Sequence, residues 1–317
     1  MNAPDNLIYK TKSPVLFIIF NRPDTTQRVF EKIKEAQPSR LYVAADGPRT
    51  DRQAEPEMCE QARAIIKQVN WPCEVKTLFR ESNLGCKEAV SSGITWFFEQ
   101  EEEGIILEDD CLPANDFFRY CDTMLERYRH DTRIRHIGGC NLQQGQKWGN
   151  ASYYFSNMTH VWGWAGWRRV WKDYDKELSS YHSNEVRPQL ETIFNDRFIV
   201  DTWEEFFNYM KADKIDTWDF QLAFLNFFNN SLSTIPNVNL ISNIGFGENS
   251  THTTDPDSLN ANLPLGTLGE ITHPLYVLPQ KGADLFTLRY DFNIEARWQK
   301  YNHPRYKAKR WFKGLFK

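Results

Sequence analysis

The chain of 317 residues carries a formal net charge of −4, and 41% of its residues are apolar, 25% charged and 15% aromatic. This balance is typical of a folded globular protein and excludes a disordered or fibrous chain, while the slight negative charge argues against binding to nucleic acid. The main continuous apolar segment, residues 14–20, is far too short to span a membrane. The length suits one large α/β domain or two smaller ones.

The amino-terminal residues and the cysteines indicate the cellular location of the protein and the redox state of its thiols. The first residues lack a basic start followed by an apolar stretch, so we expect no secretion signal and a cytoplasmic location. The six cysteines form no CxxC pair. Without export, we expect reduced thiols rather than disulfides or a zinc site.

Strands alternate with helices over the first 140 residues. Continuous apolar segments predict strands at 15–20, 40–45, 73–79 and 104–107. Apolar residues at helical spacing predict helices that follow Asp24, over 51–69 and over 87–99. This alternation predicts an α/β fold with a largely parallel sheet and helices on both faces. Functional side chains in such sheets gather at the carboxyl ends of the strands.

The alternation breaks near residue 141, where Trp and Asn become frequent. Helices are predicted around 201–212 and 219–228, and the polar, turn-rich residues 249–265 predict a mobile loop. We therefore divide the chain into residues 1–140, 141–290 and 291–317. The boundary near residue 140 is expected to separate parts with different roles rather than independently folding domains.

Three consecutive acids follow the predicted strand 104–107. Glu108, Asp109 and Asp110 would repel one another at the end of a buried strand, and a divalent cation removes that conflict. Hard oxygen ligands suit Mg²⁺ or Mn²⁺, and such a cation can neutralise a diphosphate leaving group. The alternative is a solvated acidic turn.

Other short motifs accompany the acids in a fixed order between residues 14 and 252. They are Phe20-Asn-Arg-Pro23, Ala45-Asp-Gly47, Asn83-Leu-Gly85, Leu107-Glu-Asp-Asp110, Gly163-Trp-Ala-Gly-Trp167, Trp218-Asp219 and Ser242-Asn-Ile-Gly245. Together they resemble the GT-A glycosyltransferases, and most closely the Glu-Asp-Asp form found in N-acetylglucosaminyltransferase I and its bacterial relatives. The resemblance implies the GT-A fold, a mostly parallel mixed sheet flanked by helices.

The resemblance also implies roles for the acids and for residues that follow the first two strands. Asp110 would bind Mn²⁺ or Mg²⁺, which would bridge the phosphates of the donor, and Glu108 and Asp109 would lie beside the donor sugar and ribose. Arg22 and Asp46 would contact the nucleotide, although Asp46-Gly47-Pro48 also forms a turn readily.

A second metal ligand and a catalytic base are implied in the later part of the chain. His252 is the candidate second metal ligand, and a solvent-exposed loop histidine is the alternative. Asp219, which follows Trp218, would be the base that deprotonates the acceptor hydroxyl. The family often has a second acid where Phe220 stands, so Asp216, Glu204 and Glu205 are rival candidates, and Asp219 could instead cap a helix.

Tryptophans cluster between residues 162 and 171. Trp164, Trp167 and Trp171 would share one face if this segment were a helix. We expect Trp167 and Trp171 in the core, and Trp162 and Trp164 as walls of a sugar pocket.

The end of the chain is basic and aromatic. From His303 onward it has six cations and no acid. A helix there would place Trp311, Phe312, Leu315 and Phe316 opposite the cations, which suits either an anionic bilayer surface or packing on the protein's own domain.

The resulting prediction is a metal-dependent, inverting glycosyltransferase, a hexosyl- or N-acetylhexosaminyltransferase. Residues 1–140 would bind the nucleotide-sugar donor, with UDP expected, and residues 141–290 would bind a glycan acceptor and supply the base. The acceptor is predicted to be a lipid-linked surface polysaccharide, reached at the inner face of the cytoplasmic membrane through the tail 291–317.

Two alternatives remain open. One is a sugar nucleotidyltransferase, although the Gly-rich loop and Lys that such enzymes place after the first strand are missing between Asn21 and Thr26. The other is a glycan-binding protein with an inactive nucleotide site.

Overall fold

The protein is described here from a computed structural model, in which residues 8–246, 259–292 and 294–307 are described. In this part of the chain the strands are β1 Val15–Ile19, β2 Arg40–Ala45, β3 Glu74–Phe79, β4 Glu103–Glu108, β5 Cys111–Pro113, β6 Ile134–Gly138, β7 Tyr153–Ser156, β8 Trp164–Trp167, β9 Leu232–Pro236 and β10 Ile241–Asn243. The helices are α1 Pro23–Ala36, α2 Glu55–Ala64, α3 Cys86–Gln100, α4 Asn115–Tyr128, α5 Arg168–Trp171, α6 Ser183–Ile193, α7 Arg197–Lys211, α8 Asp219–Phe228, α9 Lys281–Asp291 and α10 Ile294–Asn302.

The main sheet has eight strands in the order β3-β2-β1-β4-β8-β6-β9-β7 within the described residues. Strands β1 to β4 pair in parallel, and so do β6 and β9. Strand β8 is antiparallel to both β4 and β6, and β7 is antiparallel to β9. The predicted α/β class, with a mostly parallel mixed sheet flanked by helices, is confirmed.

The parallel half of the sheet is buried on both faces. Every residue of β1 is buried, as expected for a central parallel strand covered by helices on each side. Helix α1 contributes Val29, Phe30 and Ile33 to this core, in agreement with the helical spacing in the sequence. The helix begins at Pro23, immediately after Arg22, because Pro is well suited to a first helical position.

The sheet continues across residue 140. Strand β6 lies before this position, and its neighbours β8 and β9 lie after it. A second apolar cluster packs around α6, α7 and α8, with Leu190, Trp203 and Phe224 at its centre. The tryptophan-rich segment is a strand over Trp164–Trp167 followed by the short helix α5, so the helical face suggested by the tryptophan spacing does not form.

A two-stranded ribbon forms next to the acids. Strand β5 follows Asp110 directly and pairs antiparallel with β10, with Cys111 opposite Asn243. The amide of Ile244 donates to the carbonyl of Asp110 at 2.8 Å. The ribbon therefore fixes residues 244–246 against the end of the acidic segment.

Candidate nucleotide-binding cleft

A cleft of about 280 Å³ lies at the carboxyl ends of β1, β2 and β4 and at the amino end of α3. Its polar and charged lining side chains are Asn21, Arg22, Asp46, Arg49, Arg80, Asn83, Cys86, Glu108, Asp109 and Asp216. The sheet brings these residues together because the carboxyl ends of parallel strands meet at one edge. Four site residues predicted from the sequence, namely Arg22, Asp46, Glu108 and Asp109, therefore line one cavity.

Arg22 joins two of the three acids. Its guanidinium binds the carboxylate of Asp109, and its Nη1 lies 2.9 Å from Oδ2 of Asp110. Asp109 is only 2% exposed and also accepts a hydrogen bond from the amide of Phe20 at 3.1 Å. Although burial opposes the charged form of Arg22, the two carboxylates raise its pKa further above the ordinary range. One fixed positive charge thus compensates part of the acidic segment.

Among the described residues, no cation forms an ion pair with Glu108. Burial raises the pKa of its carboxyl well above the ordinary value, and the negative charges of Asp110 and Asp109 raise it further. Burial also raises the pKa of Asp109, although Arg22 opposes this shift. A cation that binds beside these acids would favour their charged forms, because it reverses the local electrostatic balance.

The Asp110 carboxylate packs closely against Gly245. A Cβ atom on Gly245 would lie 2.3 Å from Oδ2 of Asp110, so glycine allows this carboxylate and Arg22 to approach the backbone. Within the described residues, no group of three or more His, Cys, Asp or Glu side chains is placed to hold a metal ion. Mg²⁺ commonly binds through one or two carboxylates together with phosphates and water. Asp110 fits that kind of site, whereas His252 lies outside the described residues.

Asp46 makes mainly structural contacts. Its carboxylate accepts hydrogen bonds from the amides of Gly47 at 2.9 Å and Leu84 at 3.0 Å, and from Nδ2 of Asn83 at 2.8 Å. Burial raises its pKa, and the backbone hydrogen bonds oppose that shift. Asp46 therefore ties the loop before α3 to the end of β2, while its side chain still lines the cleft.

Asp219 is the first residue of α8 and keeps one carboxylate oxygen available. Its Oδ1 accepts hydrogen bonds from the hydroxyl of Thr217 and from the amide of Phe220 at 2.9 Å. No hydrogen bond to Oδ2 is found among the described residues. Asp219 is not one of the residues that line the cleft, but it lies three positions after Asp216, which does line it.

The rival acids have other partners. Asp216 accepts hydrogen bonds from the amides of Cys86 and Lys87, both at 2.8 Å. Glu204 and Glu205 lie on α7, where each forms an ion pair at 2.6 Å, with Arg187 and Arg297 respectively. Neither glutamate lines the cleft.

The tryptophans separate into one partly exposed residue and a buried group. Trp164 is 3% exposed and stacks between His136 and Trp218, with ring-centroid distances of 5.2 and 6.1 Å. This placement makes Trp164 a core residue, so the prediction that it walls a sugar pocket has no support from the geometry. Trp162 is only half-buried and packs edge-on against Phe246, with 5.7 Å between the ring centroids.

Arg49 is a cleft residue that the sequence arguments missed. Its guanidinium binds the buried carboxylate of Glu55, at 2.5 Å between Nη2 and Oε1, and lies 5.5 Å above the ring of Phe20. Glu55 also accepts a hydrogen bond from Asn21 at 2.8 Å. The position of Arg49 shortly after the second strand could have predicted that it lies in the cleft. Nothing in the sequence around Glu55 indicates that its carboxylate binds Arg49 and Asn21.

A larger open depression of about 1010 Å³ lies at the amino ends of the strands, away from the acids. Four of its charged residues form ion pairs with one another, Arg40 with Glu101 and Arg129 with Glu103, both at 2.6 Å. In the part of the chain that is described, no helix is both long and apolar enough to cross a bilayer. The predicted apolar face of the tail, Trp311 to Phe316, lies outside that part.

No protein-family model matches the sequence, and no curated protein matches it. Solved structures that resemble the chain include apo UDP-glucose pyrophosphorylase, with 10% identity over 71% of this chain and 90% of that chain and a TM-score of 0.37. HddC from Yersinia pseudotuberculosis matches with 10% identity over 51% of this chain and 80% of its own, with a TM-score of 0.33. CMP:2-keto-3-deoxy-manno-octonic acid synthetase complexed with CTP matches with 16% identity over 57% and 84%, with a TM-score of 0.34.

The names of the pyrophosphorylase and the synthetase correspond to the alternative prediction, a sugar nucleotidyltransferase, more closely than to the main prediction of a glycosyltransferase. At such TM-scores and identities, however, the likeness does not decide the function, which has to be argued from the cleft itself.

Proposed function

We propose that the chain is a transferase that binds a nucleotide sugar in the cleft between β1, β2 and α3 and moves the sugar to a glycan acceptor. The observation that carries this proposal is the placement of Arg22, Glu108, Asp109 and Asp110 together at the carboxyl ends of β1 and β4. A cation-dependent diphosphate site needs both acids and a guanidinium at close range, because they bind the cation and the phosphates respectively.

The donor would bind with its nucleoside between Asp46, Arg49 and Asn83 and its diphosphate near Arg22 and Asp110. The sugar would extend past Asp110 towards Trp162, whose ring packs on Phe246, the residue after Gly245. A divalent cation, Mn²⁺ or Mg²⁺, held by Asp110 would supply positive charge that stabilises the departing diphosphate.

Asp219 would act as the base of an inverting transfer. Its Oδ2 would take the proton of the acceptor hydroxyl as the hydroxyl oxygen bonds to the anomeric carbon. The bond between that carbon and the phosphate oxygen breaks, and the nucleoside diphosphate leaves with the electron pair. The hydrogen bonds from Thr217 and Phe220 to Oδ1 orient the carboxylate for this step.

A sugar nucleotidyltransferase is the second candidate, because two of the similar structures, UDP-glucose pyrophosphorylase and CMP:2-keto-3-deoxy-manno-octonic acid synthetase, have names of that class. In that reaction a sugar 1-phosphate oxygen attacks the α-phosphorus of a nucleoside triphosphate, and diphosphate leaves. The cleft argues against it, because α1 begins at Pro23 directly after Arg22 and leaves no room for a Gly-rich phosphate loop.

Product analysis separates the candidates. The protein with Mn²⁺ is incubated with UDP-sugars and glycan acceptors, and in parallel with nucleoside triphosphates and sugar 1-phosphates. Release of a nucleoside diphosphate together with a new glycosidic bond supports the proposal, and release of diphosphate in the second reaction supports nucleotidyl transfer. If neither product forms and no nucleotide raises the melting temperature, the proposal is wrong and a glycan-binding protein becomes the better hypothesis.

The Asp219→Asn variant tests the base. Amide replaces carboxylate with little change of shape, so donor binding should persist while transfer falls by about 100-fold or more. Full transfer by this variant would contradict the assignment. A lipid-linked acceptor and contact with the inner membrane face through the basic tail are further parts of this proposal, and they follow only from the sequence.

A further inference from the structure

Asp216 lies at the amino end of α3, although it comes from the loop before α8. Helix α3 begins after Gly85, which offers no side chain to its first amides. Asp216 supplies both acceptors from 130 residues further along the chain: its Oδ2 lies 2.8 Å from the amide nitrogen of Cys86, and its Oδ1 lies 2.8 Å from that of Lys87. A carboxylate at this position also interacts favourably with the helix dipole.

Gly85 allows this close approach. Its backbone has a φ of +83°, and a Cβ atom there would lie 2.9 Å from Oδ2 of Asp216. The chain thus combines a conformation that favours glycine with a contact that a side chain would obstruct. The close packing of Asp216 against Gly85 thus accompanies its hydrogen bonds to the amides of Cys86 and Lys87.

The loop that carries Asp216 is attached at two further points. Lys87 forms an ion pair at 2.8 Å with Asp213. At the other end of the loop, the hydroxyl of Tyr174 donates to the carbonyl of Trp218 at 2.9 Å, and the Tyr174 ring stacks on Trp171 at 4.2 Å. These contacts flank Thr217 and Trp218, the two residues between Asp216 and the proposed base.

We propose that Asp216 is a positioning residue that docks the segment 213–219 on the amino end of α3 and so holds Asp219 beside the donor cleft. The inference rests on the proposed function, because Asp219 is the base only if the chain transfers a glycosyl group. Asp216 touches no reacting atom in this role. Its carboxylate couples the first part of the chain, which forms the cleft, to the later part, which supplies the base.

The decisive experiment compares Asp216→Asn, Asp216→Ala and Asp219→Asn by kcat, donor Kd and backbone amide exchange at residues 86 and 87. Asn keeps one acceptor oxygen and is a good capping residue, so Asp216→Asn should retain transfer within about 5-fold. Asp216→Ala loses both hydrogen bonds and should lower kcat about 10-fold or more, because small displacements of a catalytic group are costly. Exchange at residues 86 and 87 should accelerate, and kcat should fall by a larger factor than the donor Kd rises, although Asp216 also lines the cleft.

Asp196→Ala is the matched control. Asp196 caps α7 through the amides of Phe198 at 2.7 Å and Ile199 at 3.2 Å and does not line the cleft. Its loss should destabilise the protein to a similar degree without changing kcat or the exchange of residues 86 and 87.

Each other result contradicts the inference. If Asp216→Asn loses as much transfer as Asp219→Asn, the charge of Asp216 takes part in the chemistry and Asp216 is the better candidate for the base. If Asp216→Ala transfers normally, or if exchange at residues 86 and 87 does not change, the docking contact does not position Asp219. If the wild-type protein neither binds a nucleotide nor transfers a sugar, the proposed function is wrong. Amide exchange at residues 86 and 87 in the Asp216 variants then still tests whether Asp216 binds the amino end of α3.

Discussion

The close packing of Gly245 against Asp110 gives a sharp test of the proposed cation and diphosphate site. In Gly245→Ala, the added Cβ would lie 2.3 Å from Oδ2 of Asp110 and 2.7 Å from Nη1 of Arg22, whereas real Cβ contacts essentially never fall below 3.0 Å. The ribbon holds Gly245 in place through the hydrogen bond between its amide and Oδ1 of Asn243 at 2.9 Å. The carboxylate and the guanidinium therefore both have to move by several tenths of an ångström, and so does Cβ of Asp110, which would lie 2.7 Å from the added atom.

The expected consequence is a weaker donor site in a folded protein. Displacement of Asp110 should raise the donor Kd in the presence of Mn²⁺ by about 10-fold, which corresponds to about 1.4 kcal/mol. The assay is calorimetric titration of nucleoside diphosphates and their sugars, with and without Mn²⁺, supported by circular dichroism. Gly269→Ala is the control, because a Cβ on Gly269 meets no atom within 4 Å.

The reasoning is refuted if Gly245→Ala binds the donor with wild-type affinity in the presence of Mn²⁺ while remaining folded. In that case the carboxylate of Asp110 either does not bind the cation or can bind it equally well from another position. A loss of affinity that is the same with and without Mn²⁺ would instead assign the effect to Arg22.

Three further predictions concern the acids, the core and the tail. Asp110→Ala should abolish Mn²⁺-dependent donor binding, as measured by thermal shift; an unchanged shift would exclude Asp110 as the ligand. Burial lowers the pKa of His136 to about 4, below its ordinary value near 6.5, so the native state resists protonation and loses stability as the pH falls between these values. His136→Phe should reduce this loss in urea titrations at pH 7 and pH 4.5, by at most about 3 kcal/mol. Deletion of residues 305–317 should reduce cosedimentation with anionic liposomes and leave donor hydrolysis unchanged; undiminished cosedimentation would exclude the tail as the anchor.

The first part of the fold could be predicted closely from the sequence, because its signals are local. Strand β2 occupies 40–45, as predicted, and β1 and β4 agree with their predicted positions to within one residue at each end. These strands are continuous apolar segments that end in polar turns, so composition alone marks their bounds. The alternation with helices then determines that Arg22, Asp46 and the acids share one edge of the sheet.

The later strands and the partners of the site residues could not be predicted in this way. Strand β8 is the four residues Trp164–Trp167, whose spacing also suits a helix, and its strand conformation comes from pairing with β4 and β6. The burial of Trp164 results from stacking with His136 and Trp218, which are distant in the sequence. Tertiary contacts of this kind leave no periodic pattern.

Tertiary contacts also explain how three adjacent acids can be accommodated at the end of a buried strand. Each acid has a different form of compensation: Asp109 has Arg22 and the Phe20 amide, Asp110 shares Arg22, and Glu108 has a raised pKa that favours its neutral form. Removing one partner of a buried ion pair is costly because it leaves an uncompensated charge. If the proposed function is correct, a bound cation would favour the charged form of Glu108 and would free Arg22 to bind phosphate. A solvated acidic turn would not need ion pairs from Arg22 to both Asp109 and Asp110, and these ion pairs are the physical reason to prefer the functional interpretation.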